Sequence, residues 1–84
     1  MKISYQSLLE LNQNIVFSNE QFNNIISKLF KDYTVSQYES DNKKVIFATI
    51  IKNDDHSFSH LWYINLDAED SDIGQAYNRF LNNA

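Results

Sequence analysis

A chain of 84 residues and 9.9 kDa is large enough for one small domain and too short for a second domain beside it. It contains no cysteine, which excludes disulfides, thiolate metal sites and a cysteine nucleophile. Its formal net charge of −4 argues against attachment to nucleic acid or to an anionic membrane by bulk charge, because both partners are anions.

The composition is typical of a globular protein, because hydrophobic residues make up 43% of the chain and aromatic residues 14%. No apolar run approaches the ~20 residues that cross a membrane. The first residues lack the basic stretch and apolar core of a secretory signal. We therefore expect a single small α+β domain over residues 1–84, located in the cytoplasm and without a membrane partner.

Two helices are predicted in the first third of the chain. A short one over residues 4–11 carries apolar residues on its inner side. The second spans about residues 19–31, because Ser18 and Gln21 have the spacing of a capping box at its start. Its apolar residues recur at the spacing of an amphipathic helix. They are Phe22, Ile25, Ile26, Leu29 and Tyr33.

The pattern then changes to three strands. Residues 34–39 form the first, and a tight turn at Asp41 and Asn42 leads to the second over residues 44–52. In that second strand both the odd-numbered and the even-numbered positions are mainly apolar, which predicts burial on both faces and a central position in the sheet. The third strand spans residues 57–66, after a polar loop. Short links between successive strands predict an antiparallel meander.

A last helix begins within the acidic segment 67–72 and runs to the end of the chain. The predicted element order is therefore α-α-β-β-β-α. The predicted fold class is α+β: a three-stranded antiparallel β-meander with helices packed mainly on one face, namely the second and third helices.

The charge is unevenly placed along the chain. Five acids and six bases give residues 1–52 a net charge of +1, and six acids and one base give residues 53–84 a net charge of −5. Helix capping uses one or two carboxylates, which the helix dipole stabilises, whereas this segment holds four. They are Asp67, Glu69, Asp70 and Asp72. Two interpretations stay open: a solvated helix start, and an anionic patch for a protein partner with a basic surface.

Neither a metal site nor a catalytic centre is predicted. In a strand, His56 and His60 would lie ~13 Å apart, too far to share one ion with the neighbouring Asp54 and Asp55. The single glycine, Gly74, cannot build a phosphate-binding loop. No nucleophile stands beside His60 in a recognisable motif. We therefore expect no cofactor, no metal and no enzymatic activity.

A second candidate surface lies on the predicted sheet. The residues Tyr38, Ile46, Ile50, Leu61 and Tyr63 are expected to share the face that the second and third helices leave open. If the short first helix does not cover this face, they form an exposed apolar patch, and such patches usually mark a protein interface. A buried core and an interface are the two interpretations.

The order helix, three-stranded meander, helix over residues 19–82 resembles that of the double-stranded RNA-binding domain. That family grips phosphates with lysines at the start of its last helix, and the resemblance would imply RNA binding. Here the matching residues are Glu69, Asp70, Ser71 and Asp72, which repel phosphates. Direct nucleic-acid binding is therefore not expected, and a small double-stranded RNA-binding-like domain is the least favoured alternative.

In size and charge alone, the chain resembles toxin-immunity proteins and phage-encoded inhibitors of nucleic-acid-handling enzymes, including anti-CRISPR proteins. The resemblance implies a small acidic protein that binds and inhibits a basic surface of another protein, presenting carboxylates where the target expects phosphates. The main alternative is a homodimeric structural or regulatory module that uses an exposed sheet face.

Overall fold

The computed structural model describes residues 14–29 and 31–83, which form four strands and two helices. The elements in chain order are β1 (Asn14–Val16), α1 (Asn19–Leu29), β2 (Tyr33–Glu39), β3 (Val45–Lys52), β4 (Phe58–Ile64) and α2 (Asp70–Asn83). The strands make one mixed sheet in the order β1-β4-β3-β2. The α+β class is confirmed, and the predicted helix over residues 4–11 lies outside the described residues.

Strand β1 is the element that the sequence did not predict. It pairs in parallel with β4, placing Ile15 beside Trp62 and Val16 beside Tyr63. The three-stranded meander is therefore correct only for β2, β3 and β4, which pair antiparallel as expected. A three-residue strand has too few positions to show alternation, so only its distant partner identifies it.

The two helices cover opposite faces of the sheet, and the prediction that they share one face is wrong. Phe22 and Ile26 of α1 pack on one face, and Ile73 and Ala76 of α2 pack on the other. The topology explains this separation. β1 and β2 run in the same direction at the two edges of the sheet, so α1 must cross over one face to connect them. That crossing leaves the second face to α2.

Helix α1 begins as the capping-box spacing predicts. The Gln21 N–H donates to Ser18 Oγ at 3.3 Å, and the Phe22 N–H donates to the Ser18 carbonyl at 3.0 Å. These bonds satisfy donors of the first turn that have no partner within the helix. Helix α1 therefore presents Phe22, which is fully buried, to the sheet from a fixed starting point.

Phe47 is the centre of an aromatic cluster beneath α2. Its ring centroid lies 4.3 Å from that of Trp62, 4.9 Å from Phe80 and 5.7 Å from Tyr77. Phe47 and Trp62 are fully buried. Tilted and edge-to-face pairs of this kind add to the stabilisation that comes from burial alone. The cluster fixes the second half of α2 on the sheet.

Gly74, in the first half of helix α2, offers a test of the space around this helix. An added methyl group at Gly74 would meet no atom within 4 Å, and its backbone is helical. We expect Gly74→Ala to raise the free energy of unfolding by about 0.5–1 kcal/mol, because alanine loses less backbone entropy in a helix. Chemical denaturation measures this change. A lower denaturation midpoint would show that the surroundings of Gly74 are tighter than described.

Candidate functional site

The acidic segment builds the start of helix α2 through two of its members. The Asp72 Oδ2 accepts the Glu69 N–H at 3.0 Å, while the N–H groups of Asp72 and Ile73 donate to the Glu69 carbonyl at 3.0 and 3.2 Å. Glu69 is thus the cap residue, and Asp72 binds back to it from the third helical position. The side chain of Asp72 therefore serves the helix itself.

The second oxygen of Asp72 joins α2 to the turn between β2 and β3. Asp72 Oδ1 accepts Asn42 Nδ2–H at 2.9 Å, and Asn42 Oδ1 accepts the Lys44 N–H at 3.0 Å and the Ser40 hydroxyl at 2.8 Å. The buried Ser40 Oγ in turn accepts the Val45 N–H at 3.1 Å. Because every bond in this network has a buried or half-buried member, it holds the turn and the helix start in one geometry.

Arg79 makes a second connection between α2 and the same turn. Its guanidinium donates to the Glu39 carbonyl and forms an ion pair with Asp41. The Asp41 N–H also donates to Gln75 Oε1 at 3.1 Å. The charge of Asp41 is therefore balanced within the chain, and it adds little to the field seen by a partner.

The other predicted acidic residues are presented to solvent. Asp67 and Glu69 are exposed and Asp70 is half-buried, and none of the three forms an ion pair with a described residue. The Asp67 N–H donates to Asn65 Oδ1 at 2.8 Å, which fixes the backbone beneath these carboxylates. We call Asp67, Glu69 and Asp70 the acidic edge. The structure thus separates three of the predicted residues from Asp72, whose carboxylate is engaged within the chain.

The predicted sheet-face patch is not an exposed surface. Ile46, Ile50, Leu61 and Tyr63 are all buried, and they pack with Phe22 and Ile26 of α1. Of the two interpretations, the buried core is therefore the correct one for these four residues, because α1 covers the face that they share.

Tyr38 lies on the opposite face of the sheet. The register of the β2–β3 hairpin pairs Tyr38 with Phe47, and its ring packs 5.7 Å from that of Phe80 beneath α2. Its assignment to the same face as Ile46 is therefore wrong. Side chains alternate between the two faces along a strand, so Tyr38 shares the face of its partner Phe47, and Ile46, one position away, lies on the other face.

The acidic residues of the polar loop between β3 and β4 interact with neighbouring residues in the sequence. Lys52 Nζ lies 3.9 Å from Asp54 and 4.0 Å from Asp55. Asp55 Oδ1 accepts the Ser57 N–H at 3.0 Å and the Ser57 hydroxyl at 2.7 Å, and these bonds lower the pKa of Asp55. Within residues 14–29 and 31–83, no three histidine or acidic side chains cluster closely enough to hold a metal ion.

His60 lies in an apolar environment on the α2 face. Its ring centroid is 5.0 Å from Phe47, 5.7 Å from Phe58 and 5.9 Å from Phe80. Burial lowers the pKa of His60 below its ordinary value of 6.5. Three aromatic rings lie against this histidine, so these contacts are those of a packed side chain.

In comparisons with known proteins, the chain matches no protein-family model, no curated protein and no solved structure. Neither of the two described helices has the length and apolar character needed to cross a membrane.

The Asp72 network predicts a large difference between two neighbouring carboxylates. We expect Asp72→Ala to lower the free energy of unfolding by about 2 kcal/mol, because it removes the bond to the Glu69 N–H and leaves Asn42 without its acceptor. Asp70→Ala is the matched control, and its cost stays below about 1 kcal/mol, the size of a helix-dipole interaction. Denaturant titration of both variants measures the difference, and equal losses would contradict the assignment of Asp72 as the capping carboxylate.

The burial of His60 predicts a dependence of stability on pH. The folded protein holds the pKa of His60 below 6.5, so the unfolded chain binds this proton more readily. The free energy of unfolding therefore falls as the pH drops from neutral through 6.5 toward the pKa of the folded state. His60→Phe removes this contribution, whereas His56→Asn, at an exposed histidine of the loop, leaves it in place. Denaturation midpoints at neutral and mildly acidic pH check this, and an unchanged slope in His60→Phe would contradict it.

Proposed function

We propose that this chain is a cytoplasmic, non-enzymatic protein that binds a basic surface on another protein and inhibits that protein. The observation that carries the proposal is the acidic edge. Asp67, Glu69 and Asp70 project from a helix start that is held in place by hydrogen bonds, and they have no cationic partner among the described residues. Asp41, by contrast, is paired with Arg79.

The rigidity of the acidic edge favours recognition over simple solubility. Because the backbone beneath these carboxylates is already held in place, binding has to order their side chains but not the loop, so more of the attraction remains as affinity. The net charge of −4 also favours binding to a basic partner, because it attracts a cationic surface from a distance and raises the rate of encounter.

The target that fits this surface is a nucleic-acid-handling enzyme. Such enzymes hold phosphates with arginine and lysine side chains, which also bind carboxylates through charge-assisted hydrogen bonds. An acidic protein seated on those side chains would exclude the nucleic acid and so inhibit the enzyme. We do not propose RNA binding, because the start of α2 carries Glu69 and Asp70 where a phosphate-binding helix needs cations.

Charge-neutralising variants test the proposal. The test variant combines Asp67→Asn with Glu69→Gln, and the control combines Glu20→Gln with Asp54→Asn, which removes the same charge from exposed positions elsewhere. Partners are first captured by the parent from a nucleic-acid-binding protein fraction and identified by mass spectrometry. We expect association of the test variant to be about tenfold slower than that of the control at low salt.

The measurement is the association rate on an immobilised partner, followed by inhibition of that partner's nucleic-acid binding. Added salt should slow the parent and reduce the difference between test and control, because it screens exposed charges. Equal association rates for the two variants at low salt would contradict a role for the acidic edge.

A further inference from the structure

Strand β2 lies at the edge of the sheet and turns part of its backbone away from β3. The Ser40 N–H donates to the Val45 carbonyl and the Asn53 N–H to the Asp32 carbonyl, each at 2.9 Å. In an antiparallel pair the bonded positions alternate, so even-numbered residues of β2 bond to β3. The odd-numbered residues Tyr33, Val35, Gln37 and Glu39 therefore point their N–H and carbonyl groups outward.

One of these outward groups already has a partner. The Glu39 carbonyl accepts the Arg79 guanidinium, as expected for a carbonyl on the free side of the strand. No residue in the described ranges bonds to the outward groups of Tyr33, Val35 or Gln37. The strand also contains no proline, and its only charged residue is Glu39 at its end. Proteins usually protect exposed edges with prolines, charges or bulges, and this edge lacks such protection over most of its length.

A groove runs beside this edge on the α1 face. It has a volume of about 350 Å³ and is lined by Ile26, Tyr33, Thr34, Val35 and Gln37. Side chains at odd positions of β2 face this groove, since they share the face of the buried Ile46 and Ile50. A strand added to the edge would place its own side chains over the same groove.

We propose that β2 pairs antiparallel with β2 of a second copy of this chain, with the two-fold axis at Val35. This register pairs Val35 with Val35 and Tyr33 with Gln37 of the partner copy, so every outward group of these residues is bonded. It also leaves the Glu39 carbonyl to Arg79. The result is one continuous sheet through both copies, with the two α1 helices on the same face.

Charge complementarity identifies the occupant as a second copy. Lys31 lies in the turn that enters β2, two residues before Tyr33, so this register brings it close to Glu39 of the partner copy at both ends of the pairing. Lys31 is exposed and Glu39 half-exposed, so both are free to meet across the strands. The two-fold symmetry also brings Val35 of each copy together beside the groove, which adds apolar contact at the centre.

A proline substitution tests the backbone pairing. Gln37 is exposed and its N–H points outward, so Gln37→Pro removes a bond to the partner copy without removing one to β3. We expect the purified parent to dimerise with rising concentration in sedimentation velocity, and Gln37→Pro to weaken the dimer about tenfold or more. Gln37→Ala, which keeps the N–H, should dimerise like the parent, and circular dichroism shows whether each variant is folded.

A charge exchange tests the register. Lys31→Glu and Glu39→Lys should each weaken the dimer, because each places like charges opposite one another, and the double variant should restore it. A parent that stays monomeric up to near-millimolar concentration would overturn the proposal. So would a dimer that is unaffected by Gln37→Pro while the protein remains folded. Failure of the double variant to recover dimerisation would overturn the register centred on Val35.

Discussion

The side chains of β3 alternate between the two faces of the sheet, and both sets are apolar. Val45 and Phe47 face α2, while Ile46 and Ala48 face α1, and all four are buried. Removing such side chains from water supplies about 1.5–3 kcal/mol for each large one, so neither face of β3 can be left open without a large loss of stability. A strand of this kind needs a cover on each side, and the two helices provide it.

The position of α2 then determines which acidic side chains remain available to a binding partner. Asp72 binds the Glu69 N–H and Asn42, and Arg79 holds Asp41, so the turn between β2 and β3 is attached to the helix at two points. These attachments use the carboxylates of Asp72 and Asp41 within the chain. The acidic edge projects from the same rigid platform with its charges unpaired among the described residues, and for that reason it is the surface on which the proposed function rests.

Local features were predictable from the sequence, and long-range ones were not. The helix start at Ser18 and the burial of β3 on both faces depend on residues close together in the chain, and both predictions are confirmed. The face on which Tyr38 lies and the helix that covers Ile46 could not be predicted in this way. The first depends on the register between β2 and β3, and the second on the path of α1 between distant strands. The role of Asp72 depends on Asn42, 30 residues earlier, which no local pattern reveals.

The parallel pairing of β1 with β4 sets an order for the folding reaction. β2, β3 and β4 are neighbours in sequence, so they can pair through short loops at a small entropic cost. Asn14 of β1 has to find Leu61 of β4, and this contact closes a loop that contains most of the described residues. Because such distant contacts form slowly, we expect the meander to assemble first and β1 to join it last. The strand with the fewest residues would then complete the native sheet and bring α1 across it.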